Sequence, residues 1–128
     1  MRPIHYFFAV ILLGCFAIPL VFAEPHAQRG AKIFKRCAAC HFIEKDKNKI
    51  GPSLYKIIGR RAATIANYNY SPAMKAAGAA GLLWTEENLQ NYLHDPHNMV
   101  KGTKMAAVKI NNPQDFKDLL IYLQSTGK

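Results

Sequence analysis

The chain has 128 residues, and its 17 Lys and Arg against 8 Asp and Glu give a formal net charge of +9. This length accommodates one domain, and the sequence contains no internal repeat, low-complexity tract or linker, which excludes repeat and multidomain architectures. A basic balance is typical of nucleic-acid-binding proteins, but no groove-reading motif is visible. An acidic protein partner or an anionic membrane surface accounts better for the charge, although any single lysine could simply belong to a solvated face.

Residues 1–23 have the pattern of a targeting segment. Arg2 supplies a positive start, 6–21 is apolar, and Val21-Phe22-Ala23 resembles a small-x-small cleavage signal. Cleavage there leaves a domain of residues 24–128 with a net charge of +8, exported to the bacterial periplasm. Two alternatives remain open: the segment stays uncut as a membrane anchor, or Cys15 is the site of lipoprotein processing.

The first predicted helix begins near Ala27 and runs into Cys37-Ala38-Ala39-Cys40-His41. Its apolar residues recur at helical spacing, and the motif C-x-x-C-H is the attachment signature of c-type haem. Two thiols at this spacing can form thioether bonds to one haem, with His41 held as proximal iron ligand. The alternatives are a thioredoxin-like redox pair, part of a zinc site, or a disulfide.

Three further helices are predicted after a polar loop at 46–50 and an irregular segment at 59–70. Ser71-Pro72 provides an N-cap and a proline for a short helix that ends near Gly78 or Gly81. Thr85 caps the next helix, which ends before Pro96. The last helix begins at Asn112-Pro113, with an apolar stripe of Phe116, Leu119, Leu120 and Leu123.

A c-type haem iron takes a sixth ligand or leaves an open position. Five side chains are candidates for that ligand: Met74, Met99, Met105, His94 and His97. Met105 lies in an irregular, glycine-containing stretch between two helices that could fold over a haem, whereas the other two methionines are explained by packing.

Further motifs follow one another along the chain. They are Gly30 and Phe34 before C-x-x-C-H; Gly51-Pro52-Ser53-Leu54; Gly59-Arg60; Leu83-Trp84-Thr85-Glu86-Glu87-Asn88-Leu89 with Tyr92-Leu93; Gly102-Thr103-Lys104-Met105; and 119–123. In this order they resemble class I cytochrome c of the mitochondrial and related bacterial type, over nearly all of residues 30–128. The resemblance implies an all-α fold in which four to five short helices surround one covalent haem and the terminal helices cross.

The resemblance also implies roles for individual residues. Met105 would be the distal iron ligand opposite His41, and the Pro52 carbonyl would orient the His41 ring. Arg60, Tyr70 and Trp84 would meet the haem propionates, and Tyr92 would lie near the Met105 sulfur. Gly30 and Phe34 would contact the last helix near Tyr122.

The function implied is one-electron transfer by Fe(II)/Fe(III) cycling, without enzymatic activity. The expected partners are acidic faces of redox proteins such as a terminal oxidase, a bc-type complex or a peroxidase, with transient membrane-surface contact, no nucleic acid, and a monomeric state. The chain departs from the family pattern at Lys101, where a proline is usual, and at Ala107, where an aromatic residue is frequent.

Two other functional classes remain alternatives. One is a haem enzyme or ligand-binding sensor, peroxidase-like, in which Met105 does not bind and the sixth site is open. The other is an exported zinc or structural module without haem.

Overall fold

The computed structural model describes residues 24–126, and the predicted leader at 1–23 lies outside this range. Residues 24–126 form five helices, which are α1 (His26–Ala38), α2 (Pro72–Ala79), α3 (Glu86–His94), α4 (Pro96–Met99) and α5 (Pro113–Thr126). The only β-type pairing in this part of the chain is an isolated antiparallel bridge between Arg61 and Leu83. The all-α prediction is therefore confirmed.

Local capping explains where α2 and α3 begin. The Ser71 hydroxyl accepts a hydrogen bond from the Met74 amide at 3.1 Å, and Pro72 occupies the first turn of α2. The Thr85 hydroxyl accepts from the Asn88 amide, also at 3.1 Å. Both starts were predicted, because the capping residue and its partner lie within three positions of each other.

The short helix α4 was not predicted. Asp95 caps it by accepting from the Asn98 amide at 3.1 Å, and Pro96 fills its first position. Its four residues are too few to show a helical hydrophobic period, so only the local cap marks it in the sequence.

The terminal helices α1 and α5 cross in direct contact, as the resemblance implied. Gly30 permits the close approach, because a Cβ atom built there would lie 2.1 Å from the Asp118 carbonyl oxygen. Beside this crossing, the rings of Phe34 and Tyr122 are 5.3 Å apart between centroids. The crossing thus holds the C-terminal end of α1, which carries Cys37, against the last helix.

Within residues 24–126, no helix is both long enough and apolar enough to cross a membrane.

Candidate haem-binding site

A cavity of about 500 Å³ lies between the helices and the loops that join them. All nine residues that the sequence pointed to line it: Cys37, Cys40, His41, Pro52, Arg60, Tyr70, Trp84, Tyr92 and Met105. Much of the remaining wall is apolar and includes Leu54, Ile57, Leu89 and Leu123. The fold therefore brings together residues that are separated by up to 68 positions in the sequence.

The two thiols enter the cavity from the end of α1. Cys37 is the penultimate residue of the helix, and its carbonyl accepts from the amides of Cys40 at 3.0 Å and His41 at 2.9 Å. This turn holds the three side chains of the motif together. Both cysteines are free thiols, and burial raises the pKa of the Cys37 thiol, an effect opposed by the neighbouring Arg36.

The imidazole of His41 is fixed by the segment that follows the polar loop. Its Nδ1 atom is 2.7 Å from the Pro52 carbonyl oxygen, which can only accept, so Nδ1 carries the proton and Nε2 keeps its lone pair. Burial lowers the pKa of His41, and the Pro52 hydrogen bond opposes this shift. Gly51 supports the ring from the side, since a Cβ atom there would lie 2.2 Å from His41 Cε1. A neutral, oriented imidazole is the form that binds a metal ion.

One corner of the cavity is polar and cationic. The Arg60 guanidinium donates to the carbonyls of Tyr55 at 2.5 Å and Ser53 at 3.0 Å, but its Nε is buried without a hydrogen-bond partner. Burial lowers the pKa of Arg60, and nearby Tyr70 opposes the shift. A buried donor without a partner is costly, and a carboxylate in this corner would satisfy it.

Met105 reaches the cavity from the loop between α4 and α5, where its side chain is half-buried. The preceding Thr103 is buried, and its hydroxyl oxygen lies 2.5 Å from the Tyr92 hydroxyl. The Met105 amide donates to the same Thr103 oxygen at 3.4 Å. Tyr92 in turn packs on Trp84, with ring centroids 4.9 Å apart. The loop that carries Met105 is thus attached to α3 through Thr103 and Tyr92.

These features fit a covalently attached haem. The cavity offers two thiols for thioether bonds, a neutral imidazole and a thioether sulfur for iron, and an unpartnered guanidinium nitrogen for a propionate. Most of the remaining wall is apolar, as the porphyrin requires, with Arg36 and Lys104 among the exceptions. Among residues 24–126, no three His, Cys, Asp or Glu side chains lie close enough to hold a metal ion together.

Sequence reasoning missed several residues of the site. Tyr68 lines the cavity, and its hydroxyl donates to the Ile50 carbonyl at 2.7 Å. Thr103 was noted only as part of a motif, and its hydrogen bond to Tyr92 joins residues 11 positions apart. Met74, interpreted as a packing residue, is buried and also lines the cavity. For Thr103, the signal available in the sequence was its place two positions before Met105 in the same motif.

Comparison with known proteins agrees with this geometry. A family model described as cytochrome c matches residues 27–127. The chain is 46% identical over 101 residues to a cytochrome c2 of Agrobacterium tumefaciens, covering 78% of this chain and 91% of that protein. It is 40% identical over 109 residues to a cytochrome c homolog of Rickettsia typhi, covering 84% of this chain but only 61% of that longer protein.

A solved structure shows the same fold. Cytochrome c2 from Rhodospirillum centenum superposes with a TM-score of 0.73 at 37% sequence identity, covering 80% of this chain and 98% of that one. The shared fold, the C-x-x-C-H spacing of Cys37, Cys40 and His41, and the matching cavity agree with one another. The chain belongs to the cytochrome c family, whose members carry covalently attached haem c.

Proposed function

We propose that this c-type cytochrome carries single electrons between membrane redox complexes and that His41 and Met105 are its two axial ligands. The observation that carries the proposal is that both side chains line one cavity together with the two thiols of the attachment motif. When bound, the haem supplies the Fe(II)/Fe(III) couple. The proposal includes no enzymatic reaction, because ligation of the iron on both sides leaves no position for a substrate.

Side chains and backbone groups of the protein adjust the reduction potential of this couple and limit the access of water to it. The Pro52 carbonyl orients His41 and increases its donor strength through the 2.7 Å hydrogen bond. A thioether ligand from Met105 favours the reduced state and raises the reduction potential. We assign Arg60, Tyr70 and Trp84 to the propionates and Tyr92 to the surroundings of the Met105 sulfur, since all four line the cavity. The apolar wall keeps water away and limits reorganisation during transfer.

The mouth of the cavity is suited to docking on acidic redox proteins. Arg36 and Lys104 both line the cavity and are exposed to solvent. Ile50, which also lines it, has 79% of its surface exposed and offers an apolar contact at the same mouth. We propose that a terminal oxidase, a bc-type complex or a peroxidase presents an acidic face to this mouth. Such pairing accelerates encounter more than it strengthens binding.

The same proposal places the protein in the bacterial periplasm as a monomer, in transient contact with the membrane surface. The leader pattern at 1–23 supports export, with residues 24–128 as the functional domain. The basic balance of that domain supports attraction to acidic proteins and anionic membranes.

An optical spectrum of the haem-loaded protein tests the proposed ligation. We expect a low-spin ferric spectrum with the weak sulfur-to-iron charge-transfer band and no shift when carbon monoxide is added to the ferrous form. Met105→Ala should abolish the band and allow carbon monoxide to bind. Met74→Leu is the matched control, because Met74 lines the same cavity but lies within α2, and it should keep the band.

A high-spin spectrum of the unmodified protein, or immediate carbon monoxide binding, would contradict the proposal and favour a haem enzyme or sensor with an open sixth site.

A further inference from the structure

The segment that carries Met105 is held by few interactions among its own residues. Residues 104–109 lie between two buried residues, Thr103 and Ile110, and contain the exposed Ala106 and Ala107. These alanines present little side chain for packing, and the segment belongs to no helix. Met105 and Val108 pack against the core, and the Lys104 side chain donates to the Asn69 carbonyl at 3.3 Å. The backbone that follows Met105 therefore depends on the few contacts that reach it from other elements.

One side chain from another element binds the backbone of this segment. Arg36, in the last turn of α1, donates a hydrogen bond from Nη2 to the Val108 carbonyl. Within residues 24–126, no other side chain except the adjacent Thr103 forms a hydrogen bond to the backbone of 104–109. Arg36 and Val108 are 72 positions apart in the sequence, so this bond joins two otherwise distant parts of the chain.

The location of Arg36 gives this bond its significance. Arg36 immediately precedes Cys37, and it follows Phe34, which is packed against α5. Its backbone is therefore held at the rigid end of α1, beside the attachment motif. A guanidinium projects its donors in a fixed planar arrangement, which makes it a more rigid connector than an ammonium group.

We propose that Arg36 is a positioning residue for Met105, holding the distal segment at Val108 so that the thioether stays on the iron. This inference rests on the proposed function, because it takes Met105 as the axial ligand. It assigns Arg36 a role besides its positive charge at the cavity mouth. Loss of the bond leaves the backbone of 106–109 without a side-chain hydrogen bond from another element, so Met105 would leave the iron more often.

The test compares Arg36→Gln with Lys35→Gln in haem-loaded protein. Lys35 is the neighbouring exposed cation on α1, and its removal costs the same charge without a bond to the segment. Two quantities are measured. The first is the affinity of the ferric protein for imidazole, monitored through the loss of the sulfur-to-iron charge-transfer band. The second is the rate of hydrogen exchange at the amides of 105–109. Arg36→Gln should increase both the apparent imidazole affinity and the exchange rates about fivefold, the factor expected for the net contribution of one hydrogen bond. Lys35→Gln should leave both unchanged.

Equal behaviour of the two variants in both measurements would overturn the inference. Arg36→Lys provides a second check, because it keeps the charge and a shorter donor, and it should give values between wild type and Arg36→Gln. If the unmodified protein shows no charge-transfer band, the proposed ligation fails. The exchange rates at 105–109 still decide whether Arg36 tethers the segment, so the two failures are distinguishable.

Discussion

At the scale of single residues, the position of the His41 imidazole, the proposed proximal ligand, depends on the absence of a side chain at Gly51. His41 is held from one side by the Pro52 carbonyl, and the backbone of Gly51 lies directly against its ring. The Gly51 amide also donates to the Cys40 carbonyl at 2.7 Å, which fixes this backbone relative to the attachment motif. The Gly51 backbone therefore cannot move away from the His41 ring without breaking this hydrogen bond.

Gly51→Ala should displace the imidazole, because the added Cβ would lie 2.2 Å from His41 Cε1. Overpacking of this kind costs about 1–3 kcal/mol of unfolding free energy. We expect this loss in denaturant unfolding of the haem-loaded protein, together with an altered ferric spectrum. Gly81→Ala is the control: no atom lies within 4 Å of its Cβ, although its φ of +97° imposes a backbone cost. An unchanged spectrum in Gly51→Ala would contradict the steric argument.

At the scale of helices, the crossing of α1 and α5 contains a buried carboxylate. Asp118 is only 1% exposed, and its oxygens accept from Arg29 Nε at 2.7 Å and Gln114 Nε2 at 2.8 Å. His26 Nδ1 also lies 2.6 Å from it. The Arg29 hydrogen bond, with help from His26 and Gln114, holds the pKa of Asp118 well below its ordinary value despite burial. The charge thus links the start of α1 to the middle of α5.

Asp118→Asn should therefore destabilise the protein in a pH-dependent manner. Because the folded-state pKa lies below the unfolded value of about 3.9, the carboxylate stabilises the fold fully above that pH and loses its contribution as the pH falls further. The difference in unfolding free energy between wild type and Asp118→Asn should be largest near neutrality and shrink below about pH 4. Denaturant unfolding from neutral to acidic pH measures it.

Asp115→Asn is the matched control, since Asp115 lies one turn earlier on α5 and is only half-buried. Asp115→Asn should change the unfolding free energy less than Asp118→Asn does. A difference in unfolding free energy that does not change with pH would contradict the charge argument. It would mean that the Asp118 carboxyl stabilises the fold equally when protonated and when ionised.

The parts of this architecture that the residues alone could predict are those fixed by neighbours in the chain. The crossing of α1 and α5 and the placement of Met105 opposite His41 were expected only from the family resemblance. The attachment motif is readable because covalent chemistry dictates the spacing of Cys37, Cys40 and His41, and α2 is readable because Ser71 caps it three residues away. Asp118 was not predicted to be buried, since its partners His26 and Arg29 lie 92 and 89 positions away. A charged residue on a helix is usually exposed, so only the crossing itself reveals its role.

At the scale of the whole molecule, the proposed docking on acidic proteins implies that charge governs the encounter. The formal net charge is +9 for the whole chain and +8 for residues 24–128, and it would attract the proposed acidic partners from a distance. Arg36 and Lys104 add positive charge at the cavity mouth. The exposed Ile50 at the same mouth offers an apolar contact once the partner has arrived. Long-range attraction and short-range contact are therefore provided by different residues, and salt affects mainly the first.

Oxidation of the reduced protein by an acidic terminal oxidase should slow as ionic strength rises from about 0.01 M to about 0.15 M, because the Debye length falls from about 30 Å to about 8 Å. Lys104→Gln should lower the second-order rate a few-fold at the low end and little at the high end. Lys75→Gln removes the same charge from α2 at a position that does not line the haem cavity, and it should have a smaller effect. Stopped-flow kinetics measures both variants, with the charge-transfer band checking that Lys104→Gln keeps its ligands. A wild-type rate that does not change with salt would refute electrostatic steering. Equal losses of rate in Lys104→Gln and Lys75→Gln would show that the docking face does not lie at the cavity mouth.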